Sequence, residues 1–128
     1  MLIWDETRHG LGIPAMDKTH REFLTLAGET AQAGTEDFPV LFEALRDHTR
    51  QHFAHESELM QACSFSAIRE HEGEHQRILG DLDRLLRGID EGRISLARHY
   101  VREGLFSWFE QHAITMDAAL AACLKRSA

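Results

Sequence analysis

Apolar residues recur at helical spacing along most of the chain, and the pattern resolves into four stripes. The first runs through Met16, His20, Phe23, Ala27 and Thr30 or Ala31, which predicts a helix over about 17–33 with Gly34 beyond its end. The second, through Leu41, Leu45, Leu59 and Cys63, keeps its steps of three and four only if His48, His52 and either His55 or Glu56 fill the positions between. That predicts a helix over 39–62 with histidine on its inner face. A third stripe at 66–88 passes through Ile68, His71, His75, Leu79 or Ile78, Leu82, Leu85 or Leu86, and Ile89, with Ser66 as its N-cap. The fourth, at 95–124, starts from Ser95 as N-cap and continues through Val101, Leu105, Trp108, His112, Met116 or Thr115, Ala119 and Cys123. Residues 1–16, containing Gly10, Gly12 and Pro14, read as an extended arm. The breaks at 34–38, 63–66 and 88–94 are short, and short connections favour antiparallel neighbours. The expected architecture is all-α: one antiparallel up-down-up-down four-helix bundle spanning residues 1–128, with an N-terminal arm.

Composition narrows the function. Lys and Arg number 14 against 21 Asp and Glu, for a net charge of −7. Duplex nucleic acid and anionic lipid both require the opposite sign. No apolar run approaches the roughly 18–20 residues of a membrane span, and Met1 to Glu6 has the character of neither half of a secretory signal. A cytoplasmic protein with no nucleic-acid partner and no membrane insertion is expected; no protein partner is indicated. Cys63 and Cys123 lack CxxC spacing and are expected as reduced thiols. The unusual count is histidine, nine in 128 residues.

In an antiparallel bundle His20, His52 with Glu56, His71 with His75, and His112 with Asp117 meet at one end. Burying that many polar groups unpartnered costs about 1–3 kcal/mol for each, and a metal removes the difficulty by taking their lone pairs. The pairs His52/Glu56 and His71/His75 stand at i, i+4, on one helical face and about 6 Å apart along the axis. Seven candidate ligands exceed the needs of one ion, whereas two ions about 3.5–4 Å apart can share carboxylates. Glu56 and Asp117 are the natural bridges. Imidazole with carboxylate suits iron, copper, nickel or zinc, with iron preferred for a His-rich dinuclear site. One spacing fits poorly: Asp117 is i+5 from His112, about 140° around a regular helix. Either the two flank the stripe or the helix is distorted there, as in a π-bulge.

In this order and spacing the motifs resemble the hemerythrin family, and within it the single-domain bacteriohemerythrins, over nearly all of the chain. They are Ile3-Trp4 and Gly12-Ile13 in the arm, Met16-Asp17-Lys18-Thr19-His20, His52-Phe53-Ala54-His55-Glu56, His71-Glu72-Gly73-Glu74-His75, and Trp108-Phe109-Glu110-Gln111-His112 followed by Asp117. The resemblance implies a non-haem di-iron centre that binds O2 reversibly. One iron takes His71, His75 and His112. The other takes His20 and His52 and keeps an open position for O2, with Glu56, Asp117 and an oxo or hydroxo group bridging. It also implies an apolar O2 pocket of Phe23, Phe53, Trp108 and Ile114; helical spacing independently puts Phe23 near His20 and Trp108 near His112. The connection Cys63-Ser64-Phe65-Ser66-Ala67 lacks the Tyr-Pro often found there in the family. The implied function is O2 carriage, storage or sensing by a binding protein, not an enzyme.

Three rival readings use the same residues. The same di-iron site could turn over O2, peroxide or nitric oxide as a redox enzyme. His71 to His75 also matches HExxH, a zinc-hydrolase motif in which Glu72 would be the base. The metzincin continuation fails, with Ile78 and Asp81 at the required glycine and histidine. A ferritin-like oxidase needs two ExxH pairs, for which Glu72/His75 and Asp17/His20 are a poor set. His9, His48, His55 and His99 read as structural or solvent-facing, with His48 placed to support His52 through a hydrogen bond or, failing that, to replace a ligand.

Overall fold

The computed structural model describes residues 3–127, so Met1, Leu2 and Ala128, at the ends of the expected arm and domain, lie outside the described residues. The helices are α1 (Glu6–His9), α2 (Pro14–Gln32), α3 (Phe38–Ala62), α4 (Ile68–Asp90) and a last long rod. That rod comprises α5 (Ile94–His99), a π-helical segment Tyr100–Leu105, α6 (Phe106–His112), a second π segment Ala113–Asp117, and α7 (Ala118–Ser127). The fold is an antiparallel four-helix bundle. Among the described residues no helix is long and apolar enough to cross a membrane.

The arm is not extended throughout, and α2 begins three residues before the expected start. Asp5 caps the single turn α1 by accepting from the Thr7 amide at 3.0 Å, and the Asp5 amide donates back to His9 Nδ1 at 2.9 Å. Pro14 then sits in the first turn of α2, where its missing N–H costs nothing. The buried Asp17 carboxylate accepts from the amides of Leu11 and Gly12 at 2.9 and 3.2 Å. These bonds hold the arm against α2, and Gly12, at φ +76°, supplies the left-handed residue the bend needs.

The connections are set by C-caps. At the end of α3 the Phe65 amide reaches back to the Met60 carbonyl and the Ser64 amide to Gln61, with Ser64 left-handed at φ 53°. The end of α4 repeats this Schellman arrangement: Arg93 bonds to Gly88 and Gly92 to Ile89, with Gly92 at φ 90°. These turns deliver the chain into the next helix without the expected serine caps. Ala67 and Arg93 occupy the N-cap positions of α4 and α5, and neither makes a side-chain cap bond.

The core falls into two apolar clusters. The larger contains Phe23, Phe38, Phe42, Leu45, Phe53, Ile78, Leu82, Leu105 and Phe109; the smaller contains Met16, Met60, Leu120 and Ala121, with Leu59, Phe65 and Ile68 packed on it. α2 and α4 pass from the small cluster to the large, from Met16 to Phe23 and from Ile68 to Ile78. α3 and the last rod pass the other way, from Phe53 to Met60 and from Phe109 to Leu120. That alternation gives the antiparallel arrangement. On all four rods the buried side chains between the clusters are polar: Asp17 and His20, Glu56, His71 and His75, and His112 and Asp117.

The last rod departs most from the expected stripe. Phe106, Phe109, Ala113, Asp117, Leu120 and Ala121 are buried, whereas Trp108 and Met116 are half-buried and Ala119 is exposed. Hydrogen bonding from i to i+5 in the two π segments widens the turn and advances the register, so a strict 3.6 period drifts off the inner face.

Candidate metal centre

The polar layer between the clusters is a compact group of donors. Glu56, His71, His75, His112 and Asp117 form one set, and His20, His52 and Glu56 another; within each set the donor atoms lie within 4.8 Å of one another, and all seven residues are buried. Glu56 belongs to both sets. Its Oε2 is 2.6 Å from His52 Nε2 and 3.4 Å from His20 Nε2, and its Oε1 is 3.1 Å from His71 Nε2 and 3.3 Å from His75 Nε2. Asp117 reaches the inner face because the second π segment spans the five-residue step from His112. Its Oδ1 lies 3.1 Å from Nε2 of both His71 and His112, and its Oδ2 3.1 Å from Nε2 of His20.

This donor set fits metal ions better than it fits itself. Both Asp117 oxygens are buried and none of their close approaches is aligned as a hydrogen bond. His75 and His112 point Nε2 at Nε2 across 3.2 Å, an arrangement that a protein-only network satisfies with one proton at best. Convergence through Nε2, with Nδ1 directed away, suits imidazoles that give a lone pair to a shared cation.

The electrostatics carry the same signature. Burial opposes charge on His20 and His71, yet Asp117 and Glu56 beside them raise each to about 9. For His75 burial prevails and the value is lowered. Burial would push the Glu56 carboxyl up, but the charge of His52 and the hydrogen bonds of His20, His52 and His71 hold it well below the ordinary range. Asp117, raised by burial and by Glu56, is held low by His112, His20 and His71. A pH dependence follows. In the metal-free protein His20 and His71 hold their protons more tightly folded than at the unfolded value of 6.5, so the stability they add is complete below that pH and is lost as pH rises through about 9. Metal competes for the same lone pairs, so uptake is expected to release protons and to strengthen between about pH 7 and 9. Chelator competition at those two values checks this; equal affinities would contradict it.

Aromatic rings enclose the donors. Phe23 stacks on Phe109 at 4.9 Å, and Phe109 meets His20 edge-on at 5.3 Å. Phe53 lies parallel to His75 at 3.7 Å, and Trp108 stacks on His112 at 4.6 Å. Ile114 is half-buried and stands outside both apolar clusters. Sequence spacing missed Phe109, because Trp108 took its place on a regular helix; the i+5 step of His112 and Asp117 was the signal that the register shifts.

The other candidates lie outside the donor sets. His48 is half-buried with Nε2 3.6 Å from Glu22, its ring 6.4 Å from that of His52, and it shares no hydrogen bond with His52. Glu72 faces away from the centre and accepts from the Ser57 hydroxyl at 2.7 Å, which leaves the HExxH reading without its base. Asp17, bonded to the arm, leaves the oxidase reading without its second pair. His9 is buried in the arm and His99 is exposed. Cys63 and Cys123 are free thiols.

Comparison with known proteins agrees with this geometry. A curated bacteriohemerythrin from Ralstonia nicotianae (strain ATCC BAA-1114 / GMI1000) is 36% identical over 117 residues, which cover 91% of this chain and 84% of that relative. The crystal structure of a wild-type hemerythrin superposes with a TM-score of 0.89 at 20% identity, covering 100% of this chain and 99% of the other. A mutant hemerythrin gives 0.88 at 20%, with 100% and 98% covered. Residues 11–124 match the family model described as the hemerythrin HHE cation binding domain, and the chain belongs to the hemerythrin family.

Proposed function

We propose that this protein binds O2 reversibly at a non-haem di-iron centre, as a carrier, store or sensor and not as an enzyme. The observation that carries the reading is the asymmetry of the two donor sets, five residues against three, joined through Glu56. His71, His75 and His112 would hold one iron and His20 and His52 the other, with Glu56 and Asp117 available to both. The side with fewer donors would leave room for an exogenous ligand, and Phe23 and Phe109 stand beside its imidazoles. Two irons at these positions, when bound, supply the reversible binding of O2. Phe23, Phe53, Trp108 and Ile114 are proposed as its apolar pocket, which Phe109 joins; such a lining excludes water and slows proton-assisted loss of the bound species. The imidazole-rich set favours a return to the ferrous state when O2 leaves, whereas added carboxylates would favour higher-valent iron.

The test is metal analysis of the purified protein with visible spectra taken reduced without air, then aerated, then deoxygenated. About two irons per chain and a charge-transfer band that appears with O2 and disappears on its removal are expected. Multiple turnover of O2, peroxide or nitric oxide with an electron donor would identify a redox enzyme, and zinc in place of iron would overturn the di-iron reading.

A further inference from the structure

We propose that Glu74 is a positioning residue of the metal centre: held by the Trp108 indole, its carboxylate takes the Nδ1–H of His112 and fixes that imidazole. The inference rests on the di-metal reading above. Glu74 lies on α4 immediately before His75, and its carboxylate reaches across to α6. Oε1 accepts from Trp108 Nε1 at 2.8 Å and stands 3.9 Å from His112 Nδ1. Trp108 precedes His112 by one helical turn, and its ring lies over the imidazole at 4.6 Å and 24°. One indole therefore both covers the face of His112 and anchors the acid at its edge.

The two nitrogens of His112 face different surroundings. Nε2 points into the centre, 3.1 Å from Asp117 and 3.2 Å from His75. When Nε2 gives its lone pair to a metal, Nδ1 carries the proton and needs an acceptor. Nδ1 is buried in all five candidate ligand histidines and lacks a hydrogen-bond partner in each. The carboxylate contacts of His20, His52, His71 and His75 run through Nε2; that of His112 Nδ1 runs to a carboxylate outside the donor sets. The 3.9 Å gap is about 1 Å longer than a hydrogen bond, a distance that a small tilt of the imidazole under its indole cover closes. A carboxylate at Nδ1 would make His112 a stronger donor and favour the higher oxidation state of a metal bound there.

Glu74→Gln separates the electrostatic role from the structural one, because its amide oxygen can still accept from Trp108 while the charge is gone. Glu74→Ala removes both. Iron retention against a chelator and the midpoint potential of the bound iron are measured for wild type and both variants. Glu74→Ala is expected to lose about 10- to 100-fold in metal affinity, Glu74→Gln less, with a midpoint potential more positive than wild type and an unchanged helical spectrum. In zinc-loaded protein, a slowly exchanging His112 Nδ1–H resonance is expected in wild type and absent in Glu74→Ala. Wild type that loads iron normally while Glu74→Gln matches it in affinity and potential would overturn the inference and leave Glu74 as a tie between α4 and α6. Wild type that retains no metal would sink the di-metal reading itself.

Discussion

Replacing Glu56 by Ala is expected to give a chain that folds but retains neither metal. This carboxylate is 2% exposed and lies within 3.4 Å of four imidazole Nε2 atoms, two through each oxygen. It is common to both donor sets, so its loss strips a ligand from both positions at once. It also removes one of the two anions that raise His20 and His71 to about 9, which makes the metal-free layer costlier as well. Breaking a buried ion pair from one side typically costs about 3–5 kcal/mol. A lower melting temperature should therefore accompany the loss of metal, with the apolar clusters on either side keeping the bundle helical. Iron analysis after gel filtration, paired with circular dichroism, makes the check. Full occupancy of both positions in Glu56→Ala would remove Glu56 as a bridge.

The sequence is a faithful guide in α2 and a partial one in α3, where Leu45, His52 and Glu56 are buried as expected but Phe42, Thr49 and Met60 take the inner face in place of Leu41, His48 and Leu59. The α2 stripe of Met16, His20, Phe23, Ala27, Thr30 and Ala31 is buried without exception, because nothing in that helix disturbs the 3.6 period. The same regularity in α3 and α4 brings His52 with Glu56 and His71 with His75 to the inner face at i, i+4. It also turns Glu72 outward to Ser57, one residue and about 100° from His71. Beyond that one-residue offset in α3, what periodicity did not yield lies in the last rod. Two π segments advance the register there, so Phe109 and not Trp108 enters the core, and Ala119 faces solvent.

The arm shows a different limit. Its single turn depends on Asp5 capping, and its path depends on the bonds of Asp17 to Leu11 and Gly12, contacts that a hydrophobic pattern does not encode. Pro14 did carry a signal, since proline is at home in the first turn of a helix. The centre was legible for a physical reason: histidine and carboxylate on an otherwise apolar stripe have few ways to be satisfied. The role of Glu74 was not legible, because a glutamate in a motif of charged residues looks like a solvated face until Trp108 is seen to hold it.

Replacing His52 by Ala is expected to empty one metal position and spare the other. His52 belongs to the three-donor set, and without it that set keeps His20 and Glu56, with Asp117 Oδ2 3.1 Å from His20. Three protein donors, two of them shared with the neighbouring position, are too few to hold iron against a chelator when a competing five-donor set is intact. The variant should retain about one iron per chain, following from the two sets, and should lose the O2-dependent band altogether. The substitution also leaves space where His52 met Phe23 and Phe53 edge-on and tilted at 6.3 and 5.2 Å, so added imidazole is a natural rescue reagent. His75→Ala provides the contrast. It removes one of five donors from the other set, which keeps His71, His112, Asp117 and Glu56, and it should retain more iron than His52→Ala. Equal loss from both positions in His52→Ala, or a persisting reversible band with one iron, would show that the O2 position is not the one held by His20 and His52.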